Sequence, residues 1–146
     1  MNQLLKLSET LNELMTLQGL TEQTLSEDSK IPISCISLYV RGLQAPYVDT
    51  LIKLADYFNC STDYLLGRTD NFAIANNFET NASFTQRFNE LLEKNKCTYK
   101  SFDTKKIAKS SFYEWKRGDS LPTLENLITL VDFFGCSLDF ILGREN

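Results

Sequence analysis

Histidine is missing altogether from this 146-residue chain, and methionine, proline and tryptophan number only two, three and one. Without histidine, the side chain most often used as a general base is gone, and so is the usual nitrogen ligand for zinc. The four cysteines, Cys35, Cys60, Cys97 and Cys136, include no C-x-x-C pair. That leaves no ligand set for a metal and no disulfide framework, and small buried apolar side chains are the plain reading, with Cys60 and Cys136 at equivalent places. The six glycines stand singly, which excludes a Gly-rich phosphate loop. Carboxylates are scattered at helix-surface spacing. Neither an enzyme nor a cofactor is indicated. No apolar run approaches the ~20 residues that cross a bilayer, so no membrane partner is expected. The N-terminal MNQLLKLSETLNELM lacks the apolar block and small-residue cleavage site of a signal peptide. The expectation is a soluble, cytoplasmic chain.

What the chain has in abundance is itself. Residues 41–68 and 117–144 align at an offset of 76 with fourteen of twenty-eight positions identical, from Arg41-Gly42 and Pro46 to Leu66-Gly67-Arg68. Self-similarity at a fixed offset signals a repeated unit. Nearer the front the offset is 77, where Asn12-Glu13-Leu14 matches Asn89-Glu90-Leu91, so the second copy lacks one residue around 104–107, between its second and third helices. The expected organisation is a first domain at 1–69, an Asn-rich connector at 70–82 that Phe72, Ile74 and Phe78 tack to a domain surface, and a second domain at 83–146.

Each copy reads as helices throughout. Leu4, Leu7, Leu11, Leu14 and Met15 recur at three- and four-residue steps, which marks one face of a helix closed by Gly19. Thr21 is placed to cap a second helix and Pro32 suits the first turn of a third. Leu51, Leu54, Ala55 and Phe58 mark a fourth, and a short fifth starts at Ser61 or Thr62 and ends at Gly67. The second copy repeats the order through Phe84 to Leu92, Thr98 to Thr104, Lys109 to Arg117, Leu127 to Phe134 and Ser137 to Leu142. The expected fold is all-α, two tandem five-helix units.

Two short helices around a tight turn, the second ending in aromatic-x-Arg-Gly, describe a helix-turn-helix. Thr21-x-x-x-Leu25, Ile36, Tyr39-Val40-Arg41-Gly42, Pro46 and Leu51 through Gly67 resemble the phage-repressor class, the Cro and lambda-repressor-like or Xre-type domains. So do Thr98-x-x-x-Phe102, Phe112, Trp115-Lys116-Arg117-Gly118, Pro122 and Leu127 through Gly143. The resemblance implies a transcriptional regulator on double-stranded DNA, with repression the expected sign and a homodimer the expected assembly. In such domains the third helix lies in the major groove and the second crosses the backbone. It assigns base reading in the second copy to Lys109, Ser110, Tyr113 and Glu114. Phosphates fall to Thr98, Tyr99 and Lys100 at the start of the second helix and to Lys116, Arg117 and Gly118 after the third.

The copies part company on that face. The first copy offers Ile33, Ser34, Ser37 and Leu38, with Arg41 behind them and Glu22 where such domains often carry a phosphate-binding Gln. Residues 18–42 carry Lys30 and Arg41 against Glu22, Glu27 and Asp28, a net of −1. Residues 94–118 carry seven Lys and one Arg against Asp103 and Glu114, a net of +6. Phosphate neutralisation drives much of DNA affinity, so the second copy is the expected reader. The whole chain is nevertheless acidic at −4, which predicts weak, salt-dependent non-specific binding. Ile33, Leu38, Leu43 and Tyr47 would leave an apolar patch on the first copy, a feature that more often marks a protein contact. The alternative is therefore a protein-interaction module, antitoxin-like or an anti-repressor subunit, on the same scaffold.

Overall fold

A computed structural model describes residues 3–73 and 82–145, and among them every regular element is a helix. The chain divides into two compact units, 1–74 and 75–146. Residues 74–81, most of the expected connector and with it Ile74 and Phe78, lie outside the described residues. The described part of that stretch packs on the first unit: Ser61 N–H donates to the Phe72 carbonyl at 2.9 Å.

In the first unit α1 (Gln3–Gln18) buries Leu7, Leu11, Leu14 and Met15. Gly19 ends it with φ +64, a conformation that suits glycine. Thr21 caps α2 (Glu22–Ser29) by accepting from Thr24 N–H at 3.1 Å. Pro32 stands just before α3 (Ile33–Val40) rather than within its first turn, leaving Ile36 and Tyr39 to face inward. Then α4 (Val48–Phe58) buries Val48, Leu51, Leu54, Ala55 and Phe58, and α5 (Thr62–Leu65) is capped by Ser61. Asn59, left-handed at φ 56, closes α4 where the second unit uses Gly135 at φ 70.

The second unit runs α6 (Phe84–Lys94), a 3₁₀ helix (Tyr99–Lys105), α7 (Lys109–Arg117), α8 (Leu124–Phe134) and α9 (Leu138–Ile141). Here the structure corrects the position of the missing residue. It is taken up inside the second helix, which is α in the first unit and 3₁₀ in the second. A 3₁₀ helix turns about 120° per residue against about 100° for α. Three helical steps from Phe102 to the end of the 3₁₀ helix thus turn the chain about 360°, close to the roughly 400° of four steps from Leu25 to the end of α2, and a left-handed lysine then leads to Ile107 or Ile31. Phe102, Ile107, Leu25 and Ile31 are all buried, at 0 %, 4 %, 0 % and 3 % exposure.

The core behind these helices differs in kind. Leu7, Leu11, Leu25, Ile36 and Tyr39 in the first unit correspond to Phe84, Phe88, Phe102, Phe112 and Trp115 in the second, all buried. Phe88 sits among rings, with centroids 5.7 Å from Phe112, 6.1 Å from Trp115 and 6.4 Å from Phe134. The expectation that Cys60 and Cys136 are both buried holds for Cys60 alone; Cys136 is half-buried.

Candidate nucleic-acid interface

A hydrogen bond from one asparagine amide, matched between the units, ties the third helix to the first. Asn12 Nδ2 donates to the Ser8 carbonyl at 2.8 Å and the Val40 carbonyl at 3.1 Å. Asn89 Nδ2 donates to the Thr85 carbonyl at 2.9 Å and the Lys116 carbonyl at 3.0 Å. In both, one amide spans from its own preceding turn to the last turn of the third helix, where carbonyls lack intrahelical partners. The inward aromatic of that helix is Tyr39 or Trp115, 3 % and 2 % exposed. Burial pushes the Tyr39 phenol up to about 12, with the neighbouring Cys35 adding to the rise and a hydrogen bond to Thr50 opposing it.

With Phe112 and Trp115 fixed inward, α7 turns Lys109, Ser110 and Tyr113 outward, Tyr113 at 38 % exposure. Glu114 is half-buried and accepts from the Ser120 hydroxyl at 3.3 Å, so its carboxylate is tied back to the following loop. Past the helix, Gly118 adopts φ 83 and its N–H returns to the Trp115 carbonyl at 3.3 Å. Lys116 is exposed. Arg117 is exposed too, but its Nε donates to Asp119 Oδ2 at 2.8 Å.

At the start of the 3₁₀ helix, Thr98 N–H donates to Ser101 Oγ at 3.1 Å. Tyr99 is half-buried, its hydroxyl donating to the Ile107 carbonyl at 3.3 Å and its ring edge-on to Phe112. Lys100 is exposed. A cavity of about 420 Å³ brings Thr98 and Lys116 together with Lys96 and Asn89, and with the carboxylate of Glu93, which offsets one of the two lysines. Lys96 was not among the residues singled out from the sequence. It holds a left-handed φ of 53 where the first unit has Gly19, and that correspondence was the available signal.

The first unit builds the same frame with other surface chemistry. Glycine and valine, Gly19 and Val40, stand where the second has Lys96 and Lys116. Ile33 is 48 %, Leu43 63 % and Tyr47 76 % exposed, while Leu38 is half-buried and Ser34 exposed. Ser37 is half-buried, and its carbonyl accepts from Arg41 Nε at 3.1 Å. Glu22 is half-buried at the start of α2.

Residues 11–65 match the helix-turn-helix family model. The match lies within the first unit. The chain is also similar to the HTH-type transcriptional regulator ImmR of Bacillus subtilis (strain 168), at 36 % identity over 66 residues, or 45 % of this chain. It spans about half of that relative's length, 52 %. No solved structure matches the chain. No helix among the described residues is long and apolar enough to cross a membrane.

Proposed function

We propose that the chain is a sequence-specific DNA-binding transcriptional regulator, a repressor, made of two tandem helix-turn-helix domains of which the second does most of the DNA binding. The observation that carries this reading is the grouping of Lys96, Thr98 and Lys116 around one cavity beside an outward row of Lys109, Ser110 and Tyr113. Cations there would neutralise phosphates on either side of a groove, and the outward row would meet base edges. Lys109 suits guanine O6 and N7, and the half-buried Glu114 is limited to an accepting role at a cytosine N4. The similarity to a transcriptional regulator of Bacillus subtilis supports the same reading. A homodimer would set two second domains on half-sites about 34 Å apart.

The first domain keeps the scaffold and exposes Ile33, Leu43 and Tyr47, which favours a protein contact there, to a partner or to a second copy. If that contact were the whole function, the chain would be an antitoxin-like or anti-repressor subunit without DNA affinity.

Binding to duplexes selected from a random pool, measured at two salt concentrations, separates these outcomes. Joint replacement Lys109→Ala, Lys116→Ala and Arg117→Ala should weaken binding by roughly 100-fold and flatten the salt slope by between about two and three. Ser34→Ala with Arg41→Ala should cost roughly threefold or less. No DNA affinity at low salt would sink the regulator reading, and equal losses from both sets would sink the division of labour.

A further inference from the structure

In both units the loop after the third helix closes on that helix through the same backbone bond. Leu43 N–H donates to the Leu38 carbonyl at 2.9 Å in the first, and Asp119 N–H to the Glu114 carbonyl at 2.9 Å in the second. The second adds a side-chain bond, from the Ser120 hydroxyl to Glu114 Oε1 at 3.3 Å. The first has Gln44 and Leu38 at these places, and Leu38 has no side-chain acceptor to offer. Its loop closes all the same, so the fold does not need the Ser120 hydroxyl for that closure.

Glu114 follows Tyr113 on α7 and lies one turn beyond the exposed Ser110, on the same stripe of the helix. Ser120 occupies its Oε1, whereas Oε2 has no partner among the described residues. An ionised carboxylate only accepts, and it keeps lone pairs on both oxygens. A glutamate side chain is rich in rotamers, and ordering it only on binding reduces affinity. One that is ordered beforehand avoids that loss. In the major groove cytosine offers the N4 donor alone, whereas guanine and thymine present acceptors and adenine sets its N7 acceptor beside N6. A carboxylate held in one rotamer therefore meets cytosine well and the other bases badly, while a mobile one swings off a wrong base at little cost.

We propose that Ser120 is a positioning residue for DNA specificity: by holding Glu114 Oε1 it fixes the carboxylate so that Oε2 accepts from a cytosine N4 at one base pair. This rests on the reading of the second unit as the DNA-binding one, and adds a residue outside the recognition helix that sets its base preference. Ser120 touches no base itself. It acts through Glu114.

Selection from a random duplex pool, run with the unaltered full chain and with Glu114→Ala, identifies the base pair concerned as the one where the variant loses its cytosine. Four duplexes differing only at that pair are then titrated with each chain. Glu114→Ala should reduce the preference for cytosine roughly tenfold and Ser120→Ala roughly threefold, whereas Ser120→Thr, which keeps the hydroxyl, should retain it. In Ser120→Ala the salt slope and the urea midpoint followed by Trp115 fluorescence should not change, since neither a phosphate contact nor the loop closure is lost. Equal weakening of Ser120→Ala on all four duplexes would mark a structural role and overturn the proposal. So would an unchanged preference, or a selection in which no base pair responds to Glu114→Ala. A sharper preference in Ser120→Ala would show that the bond withdraws the carboxylate from the bases, and would overturn it too. Each of these outcomes leaves DNA binding by the unaltered chain intact; absence of that binding would overturn the regulator reading and this proposal with it.

Discussion

In both units the backbone is tied at the same points, whereas the side chains that fill and coat it are exchanged. The Asn12 and Asn89 amides hold the third helix to the first by the same pair of carbonyl contacts. Arg68 and Arg144 each return to an aspartate five residues earlier, Asp63 at 3.2 Å and Asp139 at 2.5 Å. Lys30 and Lys106 both take left-handed conformations after the second helix. Against this constancy, five aliphatic or tyrosine core positions become phenylalanine or tryptophan, and Gly19, Val40 and Ile33 become lysines 96, 116 and 109. The lesson is that helix ends, with unpaired backbone groups to satisfy, constrain sequence more tightly than the interior volume or the surface does.

The largest expected effect breaks the aromatic core. Phe88 and Leu11 occupy matched positions at 0 % exposure. Phe88→Ala should cost about 4 kcal/mol and Leu11→Ala about 3 kcal/mol, since truncating the ring also strips contacts from Phe112, Trp115 and Phe134. Trp115 is the only tryptophan, so its fluorescence follows the second unit during urea unfolding. Phe88→Ala should shift that transition and leave the first unit's share of the circular dichroism transition in place. Equal shifts in both signals would show that the units unfold together.

Next come the glycines of the two Leu-Gly-Arg endings. Gly67 and Gly143 share left-handed φ values of 70 and 76, but a Cβ at Gly67 meets the flexible Lys6 side chain at 3.0 Å, whereas one at Gly143 runs into the Ala82 backbone carbonyl. Gly143→Ala should therefore cost about 3 kcal/mol and Gly67→Ala about 1 kcal/mol. Matched losses in urea titrations would refute the contact with Ala82 as the cause.

Alkaline pH separates the units without mutation. The Tyr39 phenol, raised to about 12 by burial, is neutral in the folded first unit while its unfolded form ionises near 10. Its contribution is complete below pH 10 and is lost as pH rises through 12, a change of about 2 kcal/mol. Tyr57 is shifted in the same direction, by burial first and then by its bond to Asp28 at 3.0 Å. The second unit has Trp115 and Phe133 at these positions and nothing to ionise there. Circular dichroism should record loss of the first unit above pH 10 while Trp115 fluorescence stays native, and Tyr39→Trp should remove most of the difference, leaving the part due to Tyr57.

Much of this was legible in the sequence because helix ends carry their own signals. Apolar spacing, Thr21, Ser61 and the Gly-Arg endings placed the helices to within a few residues. The 3₁₀ helix was not legible, because deleting one residue is compatible with a shorter loop or a tighter coil, and only packing of Phe102 and Ile107 into one core decides between them. Nor was the tethering of Glu114 by Ser120, or of Tyr99 by Ile107, since both depend on where a loop returns. The charge contrast could be counted in advance, but the cavity that Lys96, Thr98 and Lys116 share could not, because it depends on how the chain after α6 packs beside α7. The family match falls on 11–65, the unit with the poorer charge for DNA.

The smallest expected effect tests a detail of the charged face. Asp119 stands where the first unit has Leu43, and its N–H is fixed on the Glu114 carbonyl at 2.9 Å, closing α7. That anchored residue holds Arg117 by an ion pair 2.8 Å long, with both side chains more than half exposed. An exposed pair of this kind contributes little to stability, so Asp119→Asn should leave the unfolding of the second unit unchanged within about 0.5 kcal/mol. Its effect on DNA should be larger than its effect on folding. While paired, Arg117 brings a carboxylate with it toward any phosphate it contacts, and the two charges together displace few counterions. Replacing the carboxylate by an amide keeps an acceptor for the guanidinium and removes the opposing charge. Binding at ~0.1 M salt should tighten roughly threefold and the salt slope should steepen by up to about one. If Asp119 instead orients Arg117 for its phosphate, the same variant will bind more weakly at every salt concentration. The sign of that change therefore decides whether the acidic residue restrains the basic face or positions it.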